Sequence, residues 1–359
     1  MRESDIKIKI HSTGETLHGF TGFTIQRQID AAADGFAFSL PWEATPENLR
    51  RFPPFEKNSV DIRDKGNQIL LGYIEQIIPG YSKEGRMIEL QGRSATGVSL
   101  EWSAGALYTP SGARPEIKSE FRGMKFNAIA DALYIPGGIF ATPNIGPFGD
   151  EAVADPKQSL FEFLKSLAAT AGLWAVPRPN GWLEFKKLGT GKPFIDLIEG
   201  TSPLVSVSAT HDATRRARWY LLASTQYGSP TTLASAVDVT AEPAIRGTRI
   251  LPEPQQAANN YEELVKQARS RAIMDGYSVN ATVTGFSYDL GGTWRTWQPG
   301  DIVRLYSPTA YILKPTAYMV RRATLTFDEA RGETTILDLV FPELFSGNVK
   351  KEADYPWRE

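Results

Sequence analysis

The fold is decided by residues 279–345, with the sequence VNATVTGFSYDLGGTWRTWQPGDIVRLYSPTAYILKPTAYMVRRATLTFDEARGETTILDLVFPELF. Residues 279–283 alternate small apolar and polar side chains, which is the period-2 pattern of a half-buried strand. The motif WQPG at residues 297–300 predicts a tight turn, because Pro299 fixes its own φ and Gly300 is free to adopt a positive φ.

Three further strands are predicted in the same stretch, at residues 301–306, 318–327 and 334–341. Residues 329–332 form the predicted hairpin loop between the last two strands. In the last strand, one face carries only apolar side chains, those of Leu337, Leu339 and Phe341. No acid, base or nucleophile is placed suggestively in this stretch. The pattern is therefore typical of a structural scaffold.

The composition indicates a folded protein of several domains. A chain of 359 residues predicts two to four domains, and its hydrophobic content of 42% and aromatic content of 11% are those of a globular protein. The formal charge of −2 and the pI near 6.1 argue against a protein that reads nucleic acid. Without cysteine, the chain has no disulfide and no thiolate metal site.

Residues 1–11 form a charged, strand-like segment in which Ile6, Ile8 and Ile10 alternate with lysines. The segment lacks the uninterrupted apolar region of a signal peptide. No apolar run in the chain approaches the roughly 18 residues that a membrane helix needs. We therefore expect a soluble protein that is not secreted by the general route.

Residues 1–95 predict the first β domain. Candidate strands are followed by turn signals at close intervals, which is typical of a barrel or a sandwich. The predicted strands are 23–29, 36–40, 60–62, 69–78 and 87–91. Residues 41–54, rich in proline and arginine, are predicted to form a loop.

Residues 96–195 predict an α+β domain. Residues 124–135 carry a helical apolar stripe. A second helix is predicted to begin at Asp155 as its N-cap, with Leu160, Phe163, Leu164, Leu167 and Ala171 on one face and Gly172 at its end. Asn180-Gly181 predicts a hairpin between strands at 173–176 and 182–186.

Residues 196–345 predict a second β domain, interrupted by one helix at residues 255–275. Strands at 204–209 and 219–224 could instead complete the first β domain. Residues 346–359 are predicted to be a polar C-terminal tail. Residues 60–90 and residues 302–339 contain apolar pairs and turn glycines in the same order. This match is compatible with a duplication or with two unrelated β meanders.

Candidate catalytic and ligand-binding residues are few. His11, His18 and His211 have no metal-ligand spacing, and Gly189–Lys192 lacks the spacing of a phosphate-binding loop. A glycosidase needs two acidic side chains, and the candidate pairs are Glu151 with Asp155, or Glu262 with Glu263. Both pairs are better explained as caps or solvated side chains.

Other polar and aromatic residues are interpreted as interface or packing groups. The basic cluster Arg215, Arg216 and Arg218 is expected to pair with acids of a neighbouring strand or subunit, although a phosphate surface is the alternative. Trp294 and Trp297 are interpreted as packing anchors. We therefore predict no catalytic residue, no metal site and no cofactor.

The order of these elements resembles the baseplate hub proteins of Mu-like contractile-tailed phages, which are related to the late control D proteins and to the base of type VI secretion spikes. The motifs that carry the resemblance are ILLGYI at 69–74 leading to GRS at 92–94, SLFEFL at 159–164 with GL at 172–173 and NGWLEF at 180–185, WQPGDIV at 297–303, and LDLVFP at 337–342. Together with the helix before Val279, these motifs cover most of the chain.

The resemblance implies a mainly β fold with α+β insertions: two tail-tube-like β-barrel domains and a small α+β domain. It implies a homotrimer that joins a sixfold tail tube to a threefold central spike and leaves a channel for DNA, located in the virion and assembled in the host cytoplasm. Three chains with two barrels each would form a pseudo-sixfold ring. No lysozyme-like or peptidase segment is recognised, but a tail-associated cell-wall hydrolase and the spike base of an injection system stay open as alternatives.

The expected trimer leads to further predictions about its contacts and its channel. We expect more than about 1,000 Å² to be buried at each contact. We expect a channel wall without a basic ring, because a basic lining would bind phosphates and stall passage. Some of the apolar residues without an obvious core position, such as Trp102, Tyr108, Ile139 and Phe140, are expected to serve an interface.

Overall fold

The computed structural model of the chain describes residues 6–43, 45–83, 85–105, 118–133, 138–214, 217–224, 231–237, 247–251, 270, 272–328, 332–346, 348, 350 and 352–358. The chain is mainly β with large antiparallel sheets, which confirms the predicted fold class. It folds into two compact units. Unit 1 comprises residues 1–188, 282–301 and 320–337, and unit 2 comprises residues 189–281, 302–319 and 338–359. The four-part division drawn from the sequence stays a prediction.

The first ten strands lie in unit 1. They are β1 (Ile6–Ile10), β2 (Thr16–Leu17), β3 (Gly22–Gln28), β4 (Gly35–Pro41), β5 (Asn58–Asp64), β6 (Asn67–Ser82), β7 (Gly85–Ser94), β8 (Ile139–Thr142), β9 (Trp174–Pro177) and β10 (Leu183–Lys186). The helices of this unit are α1 (Pro46–Arg51), α2 (Val98–Glu101), α3 (Phe126–Ala132) and α4 (Leu160–Ala169).

The later strands are divided between the units. They are β11 (Asp196–Ile198), β12 (Leu204–His211), β13 (Trp219–Ser224), β14 (Thr231–Val237), β15 (Thr248–Leu251), β16 (Tyr277–Thr284), β17 (Ser287–Leu290), β18 (Thr293–Thr296), β19 (Ile302–Ser307), β20 (Ile312–Asp328) and β21 (Gly332–Val340). Helix α5 (Glu343–Ser346) follows. β17 and β18 belong to unit 1, whereas β16, β20 and β21 contribute residues to both units.

The main sheet of unit 1 is antiparallel, in the order β20-β3-β4-β7-β6-β5-β1-β2. Its strands alternate buried and exposed side chains as the sequence predicts, and Ile6, Ile8 and Ile10 of β1 are all buried. Phe23 packs against three other aromatic rings at centroid distances of 5.3–5.7 Å, those of Phe38, Phe286 and Phe327.

Two glycines explain the motifs at residues 69–74 and 92–94. Gly72 of β6 pairs opposite Ser94 of β7, and Gly92 pairs opposite Ile74, next to a register shift in β6. A Cβ on Gly72 would collide with the backbone of Arg93, and a Cβ on Gly92 would collide with the backbone of Tyr73. The close approach of the two strands therefore requires glycine at both positions.

The α+β part of unit 1 packs α3 and α4 against the three-stranded sheet β8-β10-β9. The predicted hairpin at Asn180-Gly181 is confirmed, and Gly181 has a φ of 82°. The predicted start of the second helix is wrong. Its N-cap is Ser159, which forms a capping box with Glu162, while Asp155 accepts a hydrogen bond from the backbone of Lys157.

Several elements were not predicted, among them a helix after β4 and a hairpin after β16. The loop at residues 41–54 contains α1, which begins after the cap Thr45 and has Pro46 in its first turn. Residues 287–296 form the hairpin β17–β18 within the stretch that decides the fold, with Gly291 and Gly292 at the turn. The WQPG turn is confirmed, since Gly300 has a φ of 93°.

Unit 2 contains the sheet β12-β16-β21-β20, with β19 beside β20 and β11 parallel to β19. A separate sheet has the order β14-β13-β15. Of the predicted helix at 255–275, residues 255–269 and 271 lie outside the described residues, and residues 270 and 272–275 are helical. The predicted hairpin loop at 329–332 also lies outside them, except for Gly332.

The apolar core of unit 2 includes residues close to the C-terminus. Tyr355 is 4% exposed and stacks on Trp357 at 4.9 Å, and Trp357 lies 4.9 Å from the ring of Tyr277. The backbone N–H of Leu313 donates to the carbonyl of Pro356 at 2.9 Å. The segment predicted as a polar tail thus has an aromatic anchor in unit 2.

One ion pair is buried inside unit 1. The Nε atom of Arg27 on β3 lies 3.1 Å from Oδ2 of Asp34, and each side chain is 1% exposed. Burial raises the pKa of Asp34 to about 6, against the opposing effect of Arg27. At neutral pH both groups are therefore charged, and each depends on the other for its stability in the interior.

We predict that Asp34→Ala lowers the free energy of unfolding by about 3–5 kcal/mol, because it leaves the buried Arg27 without its counter-ion. Asp150→Ala is the matched control, since Asp150 is 93% exposed in its pair with Arg122, and it should change stability by less than about 1 kcal/mol. Urea unfolding of the two variants measures this difference. Equal effects would contradict the structural role of the buried pair.

Candidate assembly surface

Two exposed aromatic side chains are held in a backbone conformation that such residues rarely adopt. Phe55, between α1 and β5, is fully exposed and has a φ of 68°. Tyr311, between β19 and β20, is 65% exposed and has a φ of 59°. A bulky residue with positive φ is strained, and exposure of a large ring to water is unfavourable. This combination is typical of a residue kept for contact with a partner.

The segment that carries Phe55 is fixed by a network of charged side chains. Lys57, two residues later, lies 2.8 Å from Glu101 and 3.4 Å from Glu75. Arg93 bridges the same two acids, at 2.6 Å from Glu75 and 2.8 Å from Glu101. The hydrogen bond from Lys57 is the largest influence that lowers the pKa of Glu101, so this carboxylate is ionised at neutral pH. The network ties the start of β5 to β6, β7 and α2.

The hairpin of β6 and β7 extends beyond β4, the strand that pairs with β7. The pairing of β7 with β4 ends at Met87, whereas β6 and β7 continue to pair as far as Ser82 and Gly85. We call residues 78–87 the β6–β7 arm. Within it, Ile78 is 46% exposed and Tyr81 is 80% exposed. The arm therefore presents apolar groups that the sheet of unit 1 does not cover.

Strand β12 is an edge of the sheet in unit 2. Of the described strands, it neighbours β16 alone, and none of its eight residues is buried. Val205 on this strand is 58% exposed. The free side of an edge strand offers unpaired N–H and C=O groups, which favour pairing with another chain.

The histidines do not form a metal site. His11 and His18 are exposed, and His211, at the end of β12, is only partly covered, with its ring 4.9 Å from that of Tyr277 and 5.2 Å from that of Trp357. Burial lowers the pKa of His211. Within the described ranges, no group of three His, Cys, Asp or Glu side chains could hold a metal ion.

The acidic candidates lack the properties of a glycosidase pair. Backbone hydrogen bonds lower the pKa of Glu151, the opposite of what a general acid needs. Asp155 accepts a backbone hydrogen bond in a turn. Glu262 and Glu263 lie outside the described residues. The carboxyl with the pKa of about 6, that of Asp34, is buried in an ion pair and cannot reach a polymeric substrate.

The aromatic candidates divide into packing and exposed groups. Trp297 is fully buried, as predicted, with its ring 4.5 Å from that of Tyr288. Trp294 is 48% exposed, and the Lys65 ammonium lies 4.4 Å from its ring centroid. Ile139, which has no obvious core position in the sequence, is 8% exposed and belongs to the core of the α+β part.

The other expected interface residues are less exposed than the sequence suggests, or lie outside the described part. Trp102 packs against the same core as Ile139, and Phe140 contacts Trp182 at a centroid distance of 5.5 Å. Tyr108 is outside the described residues, as are Arg215 and Arg216 of the basic cluster. Residues 189–192 form an irregular loop, as predicted.

The sequence contains only partial signals for the exposed surface. In β6 the alternation of buried and more exposed side chains ends after Ile74, and Ile77 and Ile78 are both apolar. This change in pattern indicates where the rest of the sheet no longer covers the strand. Phe55 follows two prolines, and nothing in its local pattern predicts a positive φ. Among the described residues, no helix has the length and apolar character needed to cross a membrane.

No protein-family model and no curated protein matches the sequence. Solved structures do match. The 43 kDa tail protein of prophage MuSo2 from Shewanella oneidensis has a TM-score of 0.73 at 18% identity, over 95% of this chain and 99% of that chain. The tail protein from Neisseria meningitidis MC58 has a TM-score of 0.70 at 16% identity, over 97% of this chain and 99% of that one.

A more distant match is the E. coli c3393 protein, a component of the type VI secretion system with structural similarity to the T4 bacteriophage tail proteins gp27 and gp5. Its TM-score is 0.51 at 10% identity, over 98% of this chain and 79% of that chain. These likenesses span nearly the whole chain. The protein therefore has the fold of Mu-type prophage tail proteins and of a type VI spike-related protein, as the sequence resemblance predicts.

Proposed function

We propose that this protein is the structural hub of a contractile phage tail baseplate, a homotrimer that joins the sixfold tail tube to the threefold central spike. The observation that carries the proposal is the full-length likeness in fold to two prophage tail proteins. Its location is then the tail of the virion, with assembly in the host cytoplasm. The tail tube protein and the central spike protein are its partners.

A repeated strand arrangement supports the pseudo-sixfold part of the proposal. Strands β5, β6 and β7 follow one another as an antiparallel meander, and β19, β20 and β21 occupy neighbouring positions in the same sequential order. In both cases the middle strand is the longest and shows a register shift, and a glycine begins the third strand. Two related tube-like barrels in each chain would give six barrels in a trimer, which matches a sixfold tube while keeping threefold symmetry for the spike.

The exposed groups supply contacts for such a trimer. Phe55 and the β6–β7 arm offer apolar surface on unit 1, and β12 offers a free strand edge on unit 2. Apolar anchors surrounded by polar residues are the usual centre of a protein interface. We propose that neighbouring subunits cover these groups in the assembled hub.

Passage of DNA through the hub needs a channel wall that does not hold phosphates. The overall charge of −2 is compatible with this requirement, and a ring of arginines facing the channel would oppose it. We propose that the trimer encloses a channel for duplex DNA with no basic ring on its wall.

A type VI or other injection-system spike base is the second candidate function, favoured by the match to the E. coli type VI component over 98% of this chain. The two functions share a fold and differ in the tube and spike proteins that bind. Co-purification with the tube and spike proteins encoded beside the gene would separate them, because a phage hub binds phage tube subunits and an injection-system base does not.

We predict a stable homotrimer at micromolar concentration. Multi-angle light scattering should give three times the chain mass of 39.6 kDa, largely independent of salt, because the proposed contacts are mainly apolar. A monomer at every concentration and salt tested would contradict the hub assignment.

We predict that Phe55→Asn weakens the trimer without destabilising the subunit. Asparagine tolerates a positive φ, so the free energy of unfolding should stay unchanged or rise by about 1 kcal/mol. Loss of an aromatic anchor should raise the dissociation constant of the trimer at least about tenfold. Sedimentation equilibrium and urea unfolding measure the two effects.

Lys65→Asn is the control for Phe55→Asn, since Lys65 is exposed and also has a positive φ, of 48°. It should leave the trimer intact. If both variants dissociated equally, or if Phe55→Asn unfolded the subunit, Phe55 would not be an interface anchor.

We also predict that the protein does not degrade the cell wall. Among the described carboxyls, a raised pKa is found at Asp34 and Asp301, where burial is its cause, rather than at an accessible acid of the kind that glycoside hydrolysis needs. A zymogram on purified peptidoglycan should show no clearing. Clearing that was lost on replacement of one carboxylate would support a hydrolase instead.

A further inference from the structure

Unit 1 contains a cleft of about 390 Å³ for which the hub role gives no use. Four cationic side chains line it: Arg27 from β3, Arg178 and Lys186 from the β9–β10 hairpin, and Arg295 from β18. The other lining residues are amides, prolines and one valine, and no carboxylate is among them. The cleft therefore offers hydrogen-bond donors and positive charge on several sides.

Arg27 provides a donor that nothing described in the chain satisfies. Its Nε atom is used by Asp34, but its Nη1 atom is buried without a hydrogen-bond partner among the described residues. An unsatisfied buried donor on a charged group is unfavourable, and such atoms are rare in folded proteins. An acceptor placed in the cleft would satisfy it.

The charges around the cleft leave an excess of positive charge. Glu184 accepts hydrogen bonds from Arg178 at 2.8 and 3.0 Å and lies 3.1 Å from Lys186, so one carboxylate serves two cations. Arg295 has no ion pair with a described residue.

The remaining acids are Asp34, whose Oδ1 atom is also buried without a hydrogen-bond partner among the described residues, and Asp301. Asp34 pairs with Arg27, and Asp301 accepts a hydrogen bond from the backbone of Gln298 in the WQPG turn. Four cations thus face three carboxylates, none of which lines the cleft. The balance favours an anionic ligand.

The distribution of donors favours a tetrahedral oxyanion. The cations come from three elements that are far apart in sequence, and the amides of Asn180 and Gln298 also line the cleft, whereas the Gln68 amide already donates to Asp61 at 2.9 Å. A phosphate group accepts hydrogen bonds from several directions, and arginine binds it through charge-assisted, often bidentate bonds. A planar carboxylate would use fewer of these donors.

We propose that this cleft binds a phosphate group, either as free phosphate or as part of a small phosphorylated compound. The volume exceeds that of one phosphate, and the proline faces of the wall leave room for an attached organic group. The ligand would connect β3, the β9–β10 hairpin and β18. It would therefore stabilise unit 1 by an amount that rises with the logarithm of its concentration once that concentration exceeds the dissociation constant. This site is independent of the hub assignment.

The test is a titration of the purified full chain with inorganic phosphate and, separately, with pyrophosphate. Sodium chloride keeps the ionic strength constant, and citrate serves as the carboxylate probe. Calorimetry should show saturable binding of phosphate or pyrophosphate, with a parallel rise in melting temperature. Citrate should bind at least about tenfold more weakly, because its carboxylates match the donors less well.

Three variants localise the binding. Arg295→Gln should weaken binding at least about tenfold, since it removes a charge-assisted contact at an exposed position. Arg27→Lys keeps a cation beside Asp34 but removes Nη1, and it should weaken binding similarly. Arg50→Gln, on the exposed surface of α1 and outside the cleft, should bind as the wild type does.

Absence of saturable binding would overturn the proposal, as would equal binding by the wild type and Arg295→Gln. Citrate bound as tightly as phosphate would overturn the assignment to phosphate. If Arg27→Lys did not fold, the comparison of Arg295→Gln with Arg50→Gln would decide the question by itself. The trimer measurement is unaffected by any of these outcomes, so the two proposals fail separately.

Discussion

Pairing between β3, near the start of the chain, and β20, near its end, is the constraint on which unit 1 depends. Residues 22–28 pair antiparallel with residues 322–328, about 300 positions away. Ile25 lies opposite Leu325 and Phe23 opposite Phe327, and all four side chains are buried. This pairing joins the last strands of the chain to the first sheet and fixes which face of β3 is apolar. The opposite face carries Gln26 and Gln28. A slip of one residue would bury these amides without partners, so the register is strongly specified.

The sequence predicts local structure well and long-range structure poorly, for a physical reason. Alternation predicts β1, β3, β4 and β21, and Asn180-Gly181 and WQPG predict their turns, because these patterns act within a few residues. The start of α4 was misplaced because Asp155 and Ser159 both suit an N-cap, and only the capping box with Glu162 distinguishes them. The joining of β3 to β20 depends on contacts distant in sequence, whereas the pair of Arg27 with Asp34 links β3 to the residue before β4. The positive φ of Phe55 has no signal in the neighbouring sequence. No local pattern encodes these features. The exposed surface could therefore be predicted only where alternation ended, as in β6.

Polar groups in this protein have two distinct roles. The network of Lys57, Glu75, Arg93 and Glu101 is partly exposed and acts by fixing geometry, since exposed ion pairs contribute little stability individually. It secures the segment that holds Phe55 in a strained, exposed conformation. The groups around Arg27 are buried and leave one donor unsatisfied, which is a different situation and favours a ligand. We propose that the first arrangement supports assembly and that the second binds a ligand.

The central claim is that each chain contributes two similar tube-like barrels to a ring with a central opening. Electron cryomicroscopy of the assembled protein, reconstructed without imposed symmetry, tests it most directly. The account predicts three chains around an open channel wide enough for duplex DNA. It also predicts that the meander of β5, β6 and β7 and the meander of β19, β20 and β21 alternate around the ring in six similar positions. A reconstruction in which the two meanders occupied unrelated positions, or in which no channel was present, would contradict it.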